Sequence, residues 1–362
     1  MKSEFVARLG QYKQLIERVL SDYIEQTLAQ VAREYGSDAA DVTKAFLDIL
    51  GRGGKRMRGS LVLAGYELGG GQNQAAAIQL AMALEITHAY LLMIDDIQDR
   101  SDLRRGGPTA HIALQQRFRH GLAEDEAAHV GMALTLNAAL YGAHSAQIVV
   151  SQLDAPADVR LALIQLVNQS MMATAHGQSY DLIIGLRDQV SYAAIEQVME
   201  LKSGEYSIMN PLAAGLTLAE ASPAELKLIH DYALPTGLAF QLSDDIISTF
   251  RDEAETGKPA KSDIQEGKWT ALIAFAVEQG AASDVVFLRS CLGSADLSDD
   301  DFEHCRTILR KSGSLHRTEE LLTEYVQRAE SALSKSPQSW PRETVEFLRS
   351  IAQYMRERAI KV

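Results

Sequence analysis

The chain has 362 residues, 46% of them hydrophobic, and its 35 basic and 48 acidic side chains leave a formal net charge of −13. That length allows one large domain or two small ones with a sizeable core, and the acidic balance argues against a general nucleic-acid binder. Two cysteines, Cys291 and Cys305, are too few for a disulfide framework, and no continuous apolar run approaches the roughly 18 residues of a membrane span. With no signal-peptide pattern at the start, the expectation is a cytoplasmic protein without a transmembrane segment.

Residues 4–34 carry Phe5, Leu9, Tyr12, Leu15, Ile16, Val19 and Ile24 at helical spacing, which predicts an amphipathic helix. A glycine-flanked basic loop follows, Gly53-Gly54-Lys55-Arg56-Met57-Arg58-Gly59, and leads into an apolar helix. Residues 75–99 form a helix with little polar face, as expected of a central one. It closes on Ile94-Asp95-Asp96-Ile97-Gln98-Asp99, with Arg104-Arg105-Gly106 just after. Further helices are predicted over 127–151, 158–186, 191–217 and 223–249, with Asp158 and Ser222 as N-caps. The 223–249 segment repeats the pattern of an apolar run closing on aspartates, here Asp244-Asp245. Helices over 268–279, 302–311, 316–334 and 341–358 complete the series, and the polar, acidic residues 280–300 read as a long surface loop. Prolines are few and strand-like alternation is almost absent, so a single all-α domain of roughly ten or more helices is expected over 1–362, with its core at about 40–335.

Carboxylates that end buried segments destabilise the fold unless something compensates them. Asp95 and Asp99 are four apart, one turn apart on one helical face, where like charges repel. A divalent cation relieves that repulsion, and Mg²⁺ commonly arrives with a phosphorylated substrate. Asp244 is a candidate opposing carboxylate, with Asp96 and Asp245 in support. The two apolar helices suggest a pseudo-repeat with carboxylates facing across one cavity. The basic loop suits an anion: glycine admits the backbone, a helix N-terminus adds its dipole, and arginine forks match phosphate oxygens. Arg104-Arg105 and the later Lys258 and Lys268 suggest a second anionic group, and His88, seven residues before Asp95, reads either as core or as a phosphate donor.

At these residues the chain closely resembles the trans-isoprenyl diphosphate synthases, the polyprenyl synthetase family, over roughly residues 15–335. The matching landmarks are Gly53 to Arg58, His88, Asp95 to Asp99, Arg104-Arg105-Gly106, Gly177-Gln178 with Asp181, and Lys202-Ser203. They continue through Asn210-Pro211-Leu212, Phe240-Gln241, Asp244-Asp245, Gly257-Lys258-Pro259 and Asp263 to Lys268. The resemblance implies an isoprenoid synthase type I bundle around a central cavity and a homodimer. It implies condensation of isopentenyl diphosphate with dimethylallyl, geranyl or farnesyl diphosphate into a linear all-E product. Asp95, Asp99 and Asp244 would bind three Mg²⁺ ions that bridge the allylic diphosphate, contacted in turn by Arg104, Lys202, Lys258 and Lys268. Lys55, Arg58, His88 and Arg105 would hold the isopentenyl diphosphate, while Gln178, Asp181 and Gln241 order the site. Lys202, Ser203 and Gln241 would stabilise the allylic cation.

Tyr90 and Leu91, five and four residues before Asp95, would form the floor that limits the product. With no insertion between Asp96 and Asp99, the pattern resembles archaeal-type geranylgeranyl enzymes and favours a C20 product, with C15 the alternative. A terpene cyclase or an inactive regulatory subunit are the competing readings. The chain departs from the family pattern at Ser248 (usually aspartate), Ser203 (usually threonine), Gly59 (often proline) and Leu136-Asn137 (usually Gly-Asp).

Overall fold

In the computed structural model the described residues are 2–251 and 260–360, with the side chains of residues 2–4 outside the description. The fold is all-α, and its chain divides into two compact units. One comprises Val6–Gln165 with Ala214–Glu220, here the N-terminal unit; the other comprises Met1–Phe5, Leu166–Ala213 and Ala221–Val362, here the C-terminal unit.

In the N-terminal unit, α1 (Lys2–Tyr35) buries Tyr12 and Ile16 of the predicted stripe, together with Leu20. Its Arg8 and Tyr12 both donate to Glu67 Oε2, at 2.6 and 2.8 Å, which ties α1 to α3 (Met57–Leu68). Two helices went unread in the sequence: α2 (Ser37–Gly51) and α5 (Ala110–Phe118). α2 buries Phe46, Leu47, Ile49 and Leu50, but it is short and sits among small and polar residues that mask its period. α4 (Gln74–Gln98) is capped by Asn73, whose side chain accepts from the Ala76 amide at 3.2 Å. By length and composition α4 could cross a membrane, contrary to the sequence expectation, but 61% of its apolar window is buried inside the protein. It packs against α3 and α6 (Glu124–Ser151), so its apolar composition is that of a core helix.

Among the described residues, the strands are a two-residue antiparallel pair, β1 (Leu103–Arg104) and β2 (Gly107–Pro108). Arg105 and Gly106 form the turn at φ 51° and 76°, positive at both positions. A two-residue hairpin turn of type I′ demands that geometry, and glycine adopts it without strain.

The helix predicted over 191–217 is unbroken from Tyr192 to Leu218 but not uniform; its residues to Ala213 belong to the C-terminal unit and the rest to the N-terminal unit. α8 (Tyr192–Met199) passes into a π-helix (Glu200–Met209) and then α9 (Asn210–Leu218). π-turns are rare and often mark functional positions; this one carries Lys202 and Ser203. The π-helix packs on α10 (Pro223–Phe250) at a glycine pair: a Cβ on Gly237 would stand 2.4 Å from Gly204 Cα. α10 opens with the full capping box of Ser222 and Glu225, whereas Asp158, the other predicted N-cap, lies inside the first turn of α7 (Ala157–Ile184).

After α11 (Ser262–Gln265) and α12 (Ala271–Gln279), the predicted surface loop over 280–300 contains a helix instead, α13 (Ala282–Cys291). Its buried residues are Leu288 and Cys291, too few positions to set a readable period. α14 (Asp299–Lys311), α15 (Ser314–Leu333) and α16 (Arg342–Ala359) complete the unit, and α10 packs against α15 and α16.

Candidate active site

The first aspartate motif sits at the C-terminal end of α4, where Asp99 is the C-cap and its amide donates to Asp95 O at 2.8 Å. Asp95 is partly open, with 28% of its side chain exposed. Asp96 is fully buried and turned toward Arg104, which grips Oδ1 through Nε at 2.7 Å and through a second nitrogen. The same guanidinium lies 3.5 Å from Asp95 Oδ2. Burial pushes the Asp96 carboxyl above its ordinary range, although Arg104 pulls it back. Arg104, expected on the allylic diphosphate, thus has a protein partner here, and so does Asp96.

The basic loop is built from α2 and α4 inward. Arg56 takes a left-handed conformation (φ 49°) at the N-cap of α3 and supplies no capping acceptor. Glu85 of α4 replaces it: its Oε1 accepts from Gly59 N at 2.9 Å, and its Oε2 lies 3.4 Å from Arg56. A proline at position 59 would remove that donor. Arg56 also donates to Glu17 at 2.8 Å and to Leu50 O at 2.7 Å, which makes it a structural member of the motif.

Arg52 donates to Pro108 O at 2.6 Å, and Arg105 donates to Gly53 O, so hairpin and loop latch each other. Lys55 is exposed and Arg58 half-buried. His88 faces this cationic group: burial first, then Arg58, Arg105 and Arg104, hold it well below its ordinary pKa and therefore neutral at pH 7. A neutral imidazole among guanidinium groups keeps one donor and one acceptor without adding repulsion.

In the C-terminal unit the second motif lies within α10, one and a half turns before its end, and does not close the helix as the sequence suggested. Ser203 Oγ donates to Gln241 Oε1 at 2.7 Å, and Gln241 Nε2 donates to Asp245 Oδ1 at 2.7 Å. Asp245 is buried, and that burial, with Asp263 and Asp244 nearby, raises its pKa well above the ordinary value. Lys202 pairs with Asp181 at 2.7 Å, and Lys268 with Glu266 at 2.5 Å. Gln178 lies half-buried on α7, and Lys258 lies outside the described residues.

Ser248, in place of an aspartate, donates to Asp263 Oδ2 at 2.6 Å, so a carboxylate reaches this position from another segment. Asp244 keeps 42% of its side chain exposed and pairs with Arg358. Sequence reading missed Arg358, Glu85 and Arg52. Arg358 lies 114 residues from its partner, so no local pattern signals it.

No three His, Cys, Asp or Glu side chains converge tightly enough to hold a metal among the described residues. Within each unit the open carboxylates suit Mg²⁺: Asp95 and Asp99 in the N-terminal unit, and Asp244 in the C-terminal unit, offer carboxylate oxygens and reach solvent, and Mg²⁺ commonly takes few protein ligands beside water and phosphate oxygens.

The sequence profile of the polyprenyl synthetase family matches residues 40–309. The chain is 30% identical over 315 residues to a geranylfarnesyl diphosphate synthase of Aeropyrum pernix, covering 87% of this chain and 93% of that protein. It is also 30% identical over 345 residues to a short chain isoprenyl diphosphate synthase of Methanothermobacter thermautotrophicus, covering 94% and 98%. In three dimensions it is similar to a geranylgeranyl pyrophosphate synthase of Corynebacterium glutamicum complexed with isoprenyl diphosphate and magnesium. There the TM-score is 0.90, the identity 26%, and the coverage 97% of this chain and 99% of that one. By this profile and these relatives, the chain belongs to the polyprenyl synthetase family.

Proposed function

We propose that this protein is a Mg²⁺-dependent short-chain trans-prenyltransferase that condenses isopentenyl diphosphate with an allylic diphosphate, with geranylgeranyl diphosphate as product. The observation that carries the reading lies within the N-terminal unit. Beyond Arg104, which grips Asp96 of α4, that unit carries further cations: Arg58 and Arg105 act on a neutral His88, and Lys55 stands exposed on the loop that leads into Arg58. A cyclase needs one diphosphate site; a condensing enzyme needs two.

In this reading Lys55, Arg58, His88 and Arg105 bind isopentenyl diphosphate. Lys202, Lys258 and Lys268 bind the allylic diphosphate, and Arg104 sets the first aspartate motif through Asp96 as well as serving that group. Asp95, Asp99 and Asp244 hold three Mg²⁺ ions. Bound Mg²⁺ would supply charge neutralisation for the departing pyrophosphate. The allylic C–O bond ionises first, releasing pyrophosphate, and the isopentenyl double bond then forms a bond to C1 of the allylic cation. A proton then leaves C2 of the added unit, with the released pyrophosphate as acceptor.

Ser203 and Gln241 are held by a hydrogen-bond chain to Asp245, which fixes oxygen dipoles beside the developing cation. Tyr90 is half-buried and its hydroxyl is pushed up to about 12 by burial, as expected of a phenol in an apolar floor with Leu91. Homodimerisation is supported by Leu136 and Leu140, 52% and 57% exposed on α6. A cytoplasmic location completes the proposal.

The test is to incubate the purified protein with Mg²⁺, labelled isopentenyl diphosphate and each allylic starter. A linear C20 diphosphate supports the reading. A cyclised hydrocarbon identifies a cyclase, and no turnover with any starter favours the regulatory subunit. Tyr90→Ala should lengthen the product on chromatography; an unchanged product removes Tyr90 from the floor.

A further inference from the structure

The geometry points to Arg358, on the C-terminal helix α16, as a positioning residue that fixes the Asp244 carboxylate for metal binding. The inference rests on the reading of Asp244 as a Mg²⁺ ligand. Asp244 stands on α10 with 42% of its side chain exposed. Arg358 Nη2 takes Oδ1 at 2.5 Å.

The guanidinium is itself fixed. Its Nε donates to Ser243 Oγ at 2.7 Å, and Ser243, fully buried, donates onward to Met355 O at 2.9 Å. Nη2 also lies 3.4 Å from Phe240 O, and the plane sits over the Phe240 and Tyr354 rings, at 5.1 and 5.7 Å from their centroids. The Arg358 carbonyl in turn accepts from Arg251 at 2.5 Å. Only 13% of the Arg358 side chain is exposed.

Two opposite consequences are conceivable for a cation beside a metal ligand. A mobile arginine would compete with the metal and leave when it binds. An arginine held by Ser243, two aromatic rings and the Phe240 carbonyl stays where it is. It commits Oδ1, limits the carboxylate to one orientation, and lowers the ordering cost of metal binding. Partners of this outer kind typically contribute 10–100-fold to metal affinity.

The test measures Mn²⁺ binding to the full chain with inorganic pyrophosphate, by electron paramagnetic resonance, for wild type, R358Q, R358K, D244N and the R358Q/D244N pair. Arg358→Gln should weaken Mn²⁺ binding about tenfold, Arg358→Lys should fall between, and Arg358→Gln should have no further effect on Asp244→Asn. Tighter binding in R358Q means that Arg358 competes with the metal, and unchanged binding means that it does nothing for it; either overturns the inference. So does equal weakening in the D244N background, which marks a general loss of structure. If R358Q fails to fold, R358K decides by the same comparison. A wild-type protein whose Mn²⁺ binding is insensitive to Asp244→Asn sinks the metal role of Asp244 itself, a separate outcome.

Discussion

The two aspartate motifs look alike in sequence and are supported differently in structure. The first is supported locally: Arg104 grips Asp96 from eight residues away, and the hairpin that carries it is latched by Arg52 and Arg105. The second is supported from afar: Arg358 reaches Asp244 across 114 residues, and Asp263 reaches Ser248 across 15. In each pair of adjacent aspartates one carboxylate is buried and partnered while the other reaches solvent. Adjacent residues on a helix point about 100° apart, so one ordinarily faces the interior. The buried members, Asp96 and Asp245, are enclosed by the fold, whereas Asp95 and Asp244 reach solvent beside Arg104 and Arg358 and are the ligands in the proposed function.

The comparison is tested most severely by removing the open members. Asp95→Ala and Asp244→Ala should each lower kcat by about 10²–10³-fold, measured by incorporation of labelled isopentenyl diphosphate. Near-normal activity in Asp244→Ala would show that the remote support serves no ligand. Next in size is the buried brace of the basic loop. Glu85→Ala leaves Arg56 short of a partner and Gly59 N without an acceptor, and should lower stability by about 3 kcal/mol, read as a fall in melting temperature. An unchanged melting temperature would mean that the loop holds itself.

His88 gives the pH test. It is held neutral when folded and titrates near 6.5 when unfolded. The unfolded chain therefore binds the extra proton first, and stability present above pH 6.5 is lost as pH falls, by up to about 1.4 kcal/mol per unit. His88→Asn should flatten the melting temperature between pH 7 and 5, whereas a parallel curve would contradict the assignment. The smallest effect is expected at Ser248: Ser248→Ala loses one hydrogen bond to Asp263, about 1 kcal/mol in chemical denaturation. Its Mg²⁺ requirement should be unchanged, since Ser248 is not among the ligands.

Sequence showed what periodicity and adjacent residues carry. The apolar run of α4, the aspartates at its end and the Ser222 cap were legible because each is a short, local pattern. The helix at 282–291 was not, because two buried residues do not make a period. The π-helix at 200–209 was also hidden, since its hydrogen-bond register leaves no mark in composition. Lys55, Arg58 and Arg105 could be picked out as a basic group, but nothing local said that Arg56 beside them turns inward to Glu17 and Glu85. The pairing of Lys202 with Asp181 and of Asp244 with Arg358 depends on helix packing between distant segments.

Stoichiometry tests the condensation most directly. Purified protein given Mg²⁺, an allylic diphosphate and labelled isopentenyl diphosphate should release one pyrophosphate for each isopentenyl unit recovered in a linear diphosphate. Pyrophosphate released without isopentenyl incorporation, or no release at all, would contradict it.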